Sequence, residues 1–189
     1  DADSLKFRPT LEVIASNTSG TVFDTVKYQA GNDTYVADGE PFPMNPQRIY
    51  TQGGIAYQSR LKFDVSRLPR GATISTAELS LESDPSLTRL SRFTQSPQPS
   101  VHALFSDDST NYETFVFANG SKVTGANTYT FDVRRQVQLW TNGINYGLVL
   151  RQPTENEYNA LELFVFYSND ASTPALRPRI RVKYAVFQN

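Results

Sequence analysis

The chain has 189 residues, a formal net charge of −1 and no cysteine. A chain of this length can bury a core without disulfides, and its near-neutral charge provides no field that attracts nucleic acid. The lack of cysteine excludes thiolate metal sites, and no apolar run is long enough to span a bilayer. Because the chain starts at Asp1, without an initiator Met or a signal peptide, we expect a processed secreted protein or an excised fragment.

Short apolar stretches that alternate with polar residues lie between frequent Gly and Pro residues. This pattern predicts an all-β fold, an antiparallel β-sandwich of jelly-roll type. Residues 60–65 and 77–82 alternate most clearly, on either side of a turn at 68–71. If these two strands pair, the outward glutamates of the second face the outward cations of the first. The glutamates are Glu78 and Glu82, and the cations are Arg60 and Lys62.

Further strands are predicted in the second half of the chain, after a long loop at 83–100 that is rich in Ser, Pro, Thr and Arg. These strands lie at 101–105, 113–118, 127–131, 146–151 and 161–167. The last of them is apolar on both faces, which is typical of a strand that is covered on both sides.

One short helix is predicted near 133–142. Asp132 has the chemistry of an N-cap, and Gly143 that of a C-terminal stop. Between them Val133, Val137 and Trp140 fall at helical spacing. The outer side of this helix carries Arg134, Arg135 and Gln138. Trp140 is the only tryptophan, and we favour a packing role in the core over a platform for sugar stacking.

The pattern Arg-Pro-x-[Leu/Ile]-x-Val occurs at 8–13 and again at 177–182. One interpretation is that residues 1–28 are a lead-in strand, the closing strand of a preceding similar module, ahead of a sandwich at 29–189. The parent protein would then be a tandem array with neighbouring domains. The other interpretation is that the first strand belongs to this domain and pairs beside the domain's own closing strand.

No sequence pattern indicates a catalytic centre, so we expect no enzyme and no catalytic residue. His102 is the only histidine and is expected to be structural or at the surface. The carboxylate pairs Asp107/Asp108 and Glu155/Glu157 are more typical of solvated loops than of a hydrolase. No cofactor is expected, although structural Ca²⁺ has candidate oxygen ligands that match no EF-hand pattern and are also typical of turns. These ligands are Asn32, Asp33, Asp38, Asp107, Asp108, Asn169 and Asp170.

The closing strand carries a cation at every second position. Because side chains of a strand alternate, these four cations share one face and the apolar residues between them share the other. Such a ladder suits the carboxylates or sulfates of an acidic polysaccharide. The alternative is that the charges protect an exposed strand edge or pair with glutamates of a neighbouring strand. The candidate ligand-binding cations are Arg177, Arg179, Arg181 and Lys183. The candidate stacking tyrosines are Tyr112, Tyr129 and Tyr158, and half-buried packing is an equal alternative for each of them.

An ordered set of motifs over residues 30–186 resembles the bacterial DNRLRE domain. The motifs are DTYV at 33–36, SRLKFDVSRLP at 59–69, GATI at 71–74, AEL at 77–79, DV at 132–133, WTNG at 140–143, NYGLVL at 145–150, FYS at 166–168 and RPRIRVKY at 177–184. The resemblance implies a non-catalytic β-sandwich module of exported bacterial proteins, extracellular or on the cell surface, with relatives that are similar to carbohydrate-binding modules of alginate-degrading enzymes. It implies no particular ligand residues.

Two functions follow from these patterns. The first is a carbohydrate-binding module for an anionic polysaccharide, without nucleic-acid binding or membrane insertion. The second is a structural or adhesive repeat of a cell-surface protein.

Overall fold

The computed structural model describes residues 10–16, 23–29, 45–53, 57–90, 98–107, 112–152 and 162–186. The chain forms two compact units, Asp1–Pro41 and Phe42–Asn189. In the first unit β1 (Thr10–Ser16) and β2 (Phe23–Gln29) pair as an antiparallel hairpin. The expected boundary between the lead-in segment and the sandwich, at 28/29, falls within β2. The origin of the first segment from a preceding module stays a prediction.

In its described residues the second unit consists of antiparallel strands, one short α-helix and a 3₁₀ turn at Pro174–Leu176, which confirms the predicted all-β sandwich. The strands are β3 (Arg48–Gln52), β4 (Ser59–Leu61), β5 (Thr73–Glu82), β6 (Ser100–Leu104), β7 (Tyr112–Asn119), β8 (Ser121–Lys122), β9 (Thr128–Asp132), β10 (Leu148–Arg151), β11 (Leu163–Tyr167) and β12 (Arg179–Ala185). One sheet has the strand order β12-β5-β9-β8, a second has β4-β10-β6-β7, and β11 pairs with β3.

The core lies between these sheets. β5 contributes alternate residues to it, and the others come from β4, β6, β7, β9, β10, β11 and the helical region 133–140. Tyr129 packs edge-on against Phe164 and Phe166, with ring centroids 5.7 and 5.6 Å away. Tyr129 was a candidate for sugar stacking, and that prediction is wrong because its ring is 2% exposed. The same burial raises the pKa of its phenol.

The helix α1 (Arg134–Thr141) closes the core at one end. Trp140 is 4% exposed and stacks on Phe63 at 6.3 Å, which confirms its packing role. Gly143 ends the helix at a φ of +97°, as predicted. Asp132, the predicted N-cap, is not the N-cap residue, because the N-cap is Val133 and Asp132 lies one position before it. The Asp132 carboxylate still accepts a hydrogen bond from the backbone N–H of Arg134, at 3.1 Å.

The strands on either side of the 68–71 turn do not pair, which corrects the sequence-based expectation. β4 pairs with β10, whereas β5 pairs with β9 and β12. The turn carries the chain from one sheet to the other, and the N–H of Gly71 donates to the carbonyl of Thr141 at the end of α1. The outward glutamates of β5 therefore lie beside β12 rather than beside Arg60 and Lys62.

β11 is covered on both faces, as its two apolar faces indicate. Phe164 and Phe166 belong to the main core, while Leu163 and Val165 form a smaller cluster with Tyr50. Its second edge is also occupied, since Ser83 bridges to Phe166 and Arg89 bridges to Leu163. The described start of the predicted loop 83–100 is thus hydrogen-bonded to the sheet.

A buried ion pair holds this segment in place. The Asp84 carboxylate is 4% exposed and lies 2.8 Å from Nη2 of Arg48, whose guanidinium stacks on the Tyr167 ring. Burial alone would raise the pKa of Asp84, but hydrogen bonds donated by Ser86 and Arg48 outweigh it and bring the pKa below its ordinary 3.8.

We expect Asp84→Asn to lower the free energy of unfolding by about 1–3 kcal/mol near pH 7, because a hydrogen-bonded buried charge is lost. A carboxyl group whose pKa is lowered by folding stabilises the folded state at pH values above its unfolded pKa. The difference in free energy of unfolding between the variant and the wild type should therefore shrink as the pH falls from 5 through the folded pKa of Asp84. Urea unfolding at several pH values measures it, with the exposed Asp170→Asn as the control. A difference that stays constant down to pH 2 would contradict this account.

Candidate functional site

The outer face of the β12-β5-β9-β8 sheet carries the predicted cations. Arg179, Arg181 and Lys183 are exposed, while Ile180 and Val182 are half-buried and pack on the core. The period-two pattern therefore gives the predicted separation of charged and apolar faces. β12 is the first strand of its sheet, so its far edge carries no partner strand in the described part of the chain.

Arg177 does not join this row. It precedes β12, is half-buried, and its Nε donates to the carbonyl oxygen of Ala171 at 2.9 Å. A backbone hydrogen bond holds its guanidinium toward the 168–171 turn. We call the three exposed cations Arg179, Arg181 and Lys183 the cationic face.

Carboxylates of β5 lie beside the cationic face. Arg179 Nη2 is 3.8 Å from Glu82 Oε1, and the register places Arg181 opposite Glu78 and Lys183 opposite Thr76. Glu82 also accepts a hydrogen bond from the Thr128 hydroxyl on β9. Among the described residues, Arg181 and Lys183 have no carboxylate within 4.0 Å. The two cations nearest the end of β12 are therefore the ones most open to an external anion.

A polar groove of about 380 Å³ begins one strand further across the same face. Hydroxyl groups of β5, β8 and β9 line it, together with two carboxylates and an amide. The lining polar residues include Thr76, Glu78, Asn119, Ser121, Thr130 and Asp132. The sequence did not reveal this groove, because the outward hydroxyls of three strands come together only through the register. The outward alternation within β5 and β9 was the one available signal.

The remaining candidates have other surroundings. The backbone of Tyr112 lies in β7, and its side chain and all of Tyr158 lie outside what the structure describes. His102 is buried, with Nε2 3.0 Å from the Ser100 hydroxyl and its ring stacked on Phe117 at 5.3 Å. It is a structural residue, one of the two roles expected for it.

Asp107 forms a salt bridge with Arg60. Its Oδ1 lies 2.7 Å from Nη2 of Arg60, and this hydrogen bond lowers the pKa of Asp107, against a smaller opposing effect of desolvation. In the described ranges no three His, Asp or Glu side chains are placed to hold a metal ion. Four of the candidate Ca²⁺ ligands lie outside these ranges: Asn32, Asp33, Asp38 and Asp108. The carboxylate pair Glu155/Glu157 also lies outside them.

None of the helices in the described ranges is both long and apolar enough to cross a membrane. No family model, curated protein or solved structure matches this chain.

Proposed function

We propose that the unit Phe42–Asn189 is a non-catalytic carbohydrate-binding module for an anionic polysaccharide. The observation that carries the proposal is the exposed cationic face at a sheet edge, with a hydroxyl-lined groove beside it. Arginine can hold a carboxylate with two parallel hydrogen bonds, and hydroxyls and amides suit the hydroxyls of a sugar. The sequence motifs that resemble the DNRLRE domain support the same function and, with it, an exported or cell-surface location.

The test is retention on immobilised alginate, pectate and neutral glucan. We expect retention on an acidic polymer, and the double variant Arg179→Gln, Arg181→Gln should reduce it at least tenfold at low salt. The difference in retention between the wild type and the variant should become smaller as the salt concentration is raised, because salt screens exposed charges.

The matched control is Lys62→Gln, Arg67→Gln, which removes two exposed cations elsewhere. Equal losses in both double variants would show that net charge alone governs retention, and would contradict the proposal. Absence of retention of the wild type on every polymer would also contradict it.

A second candidate function is a structural or adhesive repeat. The Arg179–Glu82 pair and the Arg181/Glu78 register favour it, because cross-strand pairs of opposite charge stabilise a sheet. On this account the Arg179→Gln, Arg181→Gln variant would have a lower free energy of unfolding, by no more than about 1 kcal/mol for exposed pairs. Neither the wild type nor the variant would be retained on any of the polymers.

A further inference from the structure

A second groove, of about 310 Å³, lies at the first turn of α1. The end of β7 forms one wall, and the residues that enter the helix form the other. Its lining includes Phe117, Asn119, Asp132, Arg134, Arg135 and Gln136. Small-molecule sites in proteins begin at about 300 Å³, so the groove has room for one sugar-sized ligand.

Gln136 is the first observation that points to a ligand. The residue is 1% exposed, and its Nε2 reaches the carbonyl of Val116 at 3.4 Å. Its Oε1 is buried and has no hydrogen-bond partner among the described residues. A buried amide oxygen without a donor costs free energy, so a ligand hydroxyl at this wall of the groove would relieve that cost.

The charge of the groove favours an anion. Arg134 and Arg135 are exposed and both line it. The first N–H groups of a helix lack partners within the helix and attract negative charge. Asp132 takes the N–H of Arg134, whereas no described residue accepts from the N–H groups of Arg135 and Gln136. Two guanidinium groups and two backbone donors therefore lie together at this turn.

The wall formed by β7 adds an apolar ring. Phe117 is 46% exposed, and its ring stacks on the buried His102 ring with the centroids 5.3 Å apart. A phenyl ring held in this way suits the C–H face of a sugar. Asn119, at the end of the same strand, adds an amide that can donate to or accept from a hydroxyl.

From this combination we infer that the groove binds a carboxylated sugar residue. The carboxylate lies on Arg134 and Arg135, the ring packs on Phe117, and a hydroxyl donates to Gln136. Asn119, Asp132 and Arg134 also border the hydroxyl-lined groove, so the two grooves meet there. The inference does not depend on the cationic face, and it stands if that face binds no polymer.

The test is calorimetric titration of the full chain with trigalacturonate, with neutral galactotriose and with sodium sulfate. We expect the trigalacturonate to bind at least tenfold more tightly than galactotriose. The double variant Arg134→Gln, Arg135→Gln should weaken trigalacturonate binding at least tenfold, and Phe117→Ala should weaken it several-fold. Lys62→Gln, Arg67→Gln should leave it unchanged, and circular dichroism checks that each variant is folded.

Three results would overturn the inference. They are no binding of trigalacturonate to the wild type, binding that survives in Arg134→Gln, Arg135→Gln, and displacement of trigalacturonate by equimolar sulfate, which would mean a site for simple anions. If the Arg134→Gln, Arg135→Gln variant unfolds, Gln136→Leu replaces it in the test. Leucine has a similar volume to glutamine but lacks the amide oxygen that accepts a hydrogen bond from the ligand hydroxyl. The two variants separate the proposals, because a loss of polymer retention in Arg179→Gln, Arg181→Gln reports on the cationic face, whereas a loss of trisaccharide binding in Arg134→Gln, Arg135→Gln reports on the groove.

Discussion

Replacing Phe166 by alanine should lower the free energy of unfolding by about 3–5 kcal/mol. The ring is 0% exposed, stacks parallel to Phe164 at 6.1 Å and meets the edge of Tyr129. Because β11 is covered on both sides and bridged at Ser83, its backbone has little room to move into the cavity left by the ring. The cost should therefore include the cavity as well as the lost burial.

Urea unfolding followed by tryptophan fluorescence measures this loss, since Trp140 lies in the same core. The matched control is Phe115→Ala, which removes the same side chain where it is 81% exposed. It should change stability by about 0.5 kcal/mol or less. Similar losses in both variants would mean that the core does not lie between the sheets as described.

Gly147→Ala should destabilise the protein by about 2–5 kcal/mol, through two effects at one position. Gly147 has a φ of +97°, where a side chain costs about 1–2 kcal/mol. A Cβ there would lie 2.5 Å from the carbonyl oxygen of Leu61, so the pairing of β4 with β10 must open. Forcing such a movement typically costs about 1–3 kcal/mol more.

Gly125→Ala separates the two effects. Gly125 also has a positive φ, of +75°, but a Cβ there meets nothing within 4 Å. We expect it to lose only the conformational part, about 1–2 kcal/mol. Thermal unfolding of both variants checks the difference, and a Gly125→Ala loss equal to that of Gly147→Ala would show that the contact with Leu61 adds nothing.

The strands and the helix could be predicted because their signals are local. Alternation in β5 and β12, the two apolar faces of β11, and Gly143 after the helix all act over a few residues. Pairing could not be predicted in the same way. The sequence neighbours β4 and β5 lie on either side of the 68–71 turn, and nothing in their alternation distinguishes a hairpin from a crossing between sheets.

The same limit applies to the candidate site. The cationic face could be predicted from β12 alone, apart from Arg177, whose hydrogen bond to Ala171 depends on a turn that the alternation does not encode. The groove at α1 could not be predicted, because it needs β7 beside the first turn of the helix. Arg134 and Arg135 were recognised only as the outer side of a helix.

The outward positions of β5, β9 and β12 are separated from the core by the pleat of the sheet. Substitutions there can change the charge and polarity of the exposed face while the inward residues keep the fold intact. β11 has no such freedom, since both of its faces are packed. The molecule therefore divides into a sheet face on which substitutions leave the packing unchanged and a strand, β11, on which any substitution disturbs it.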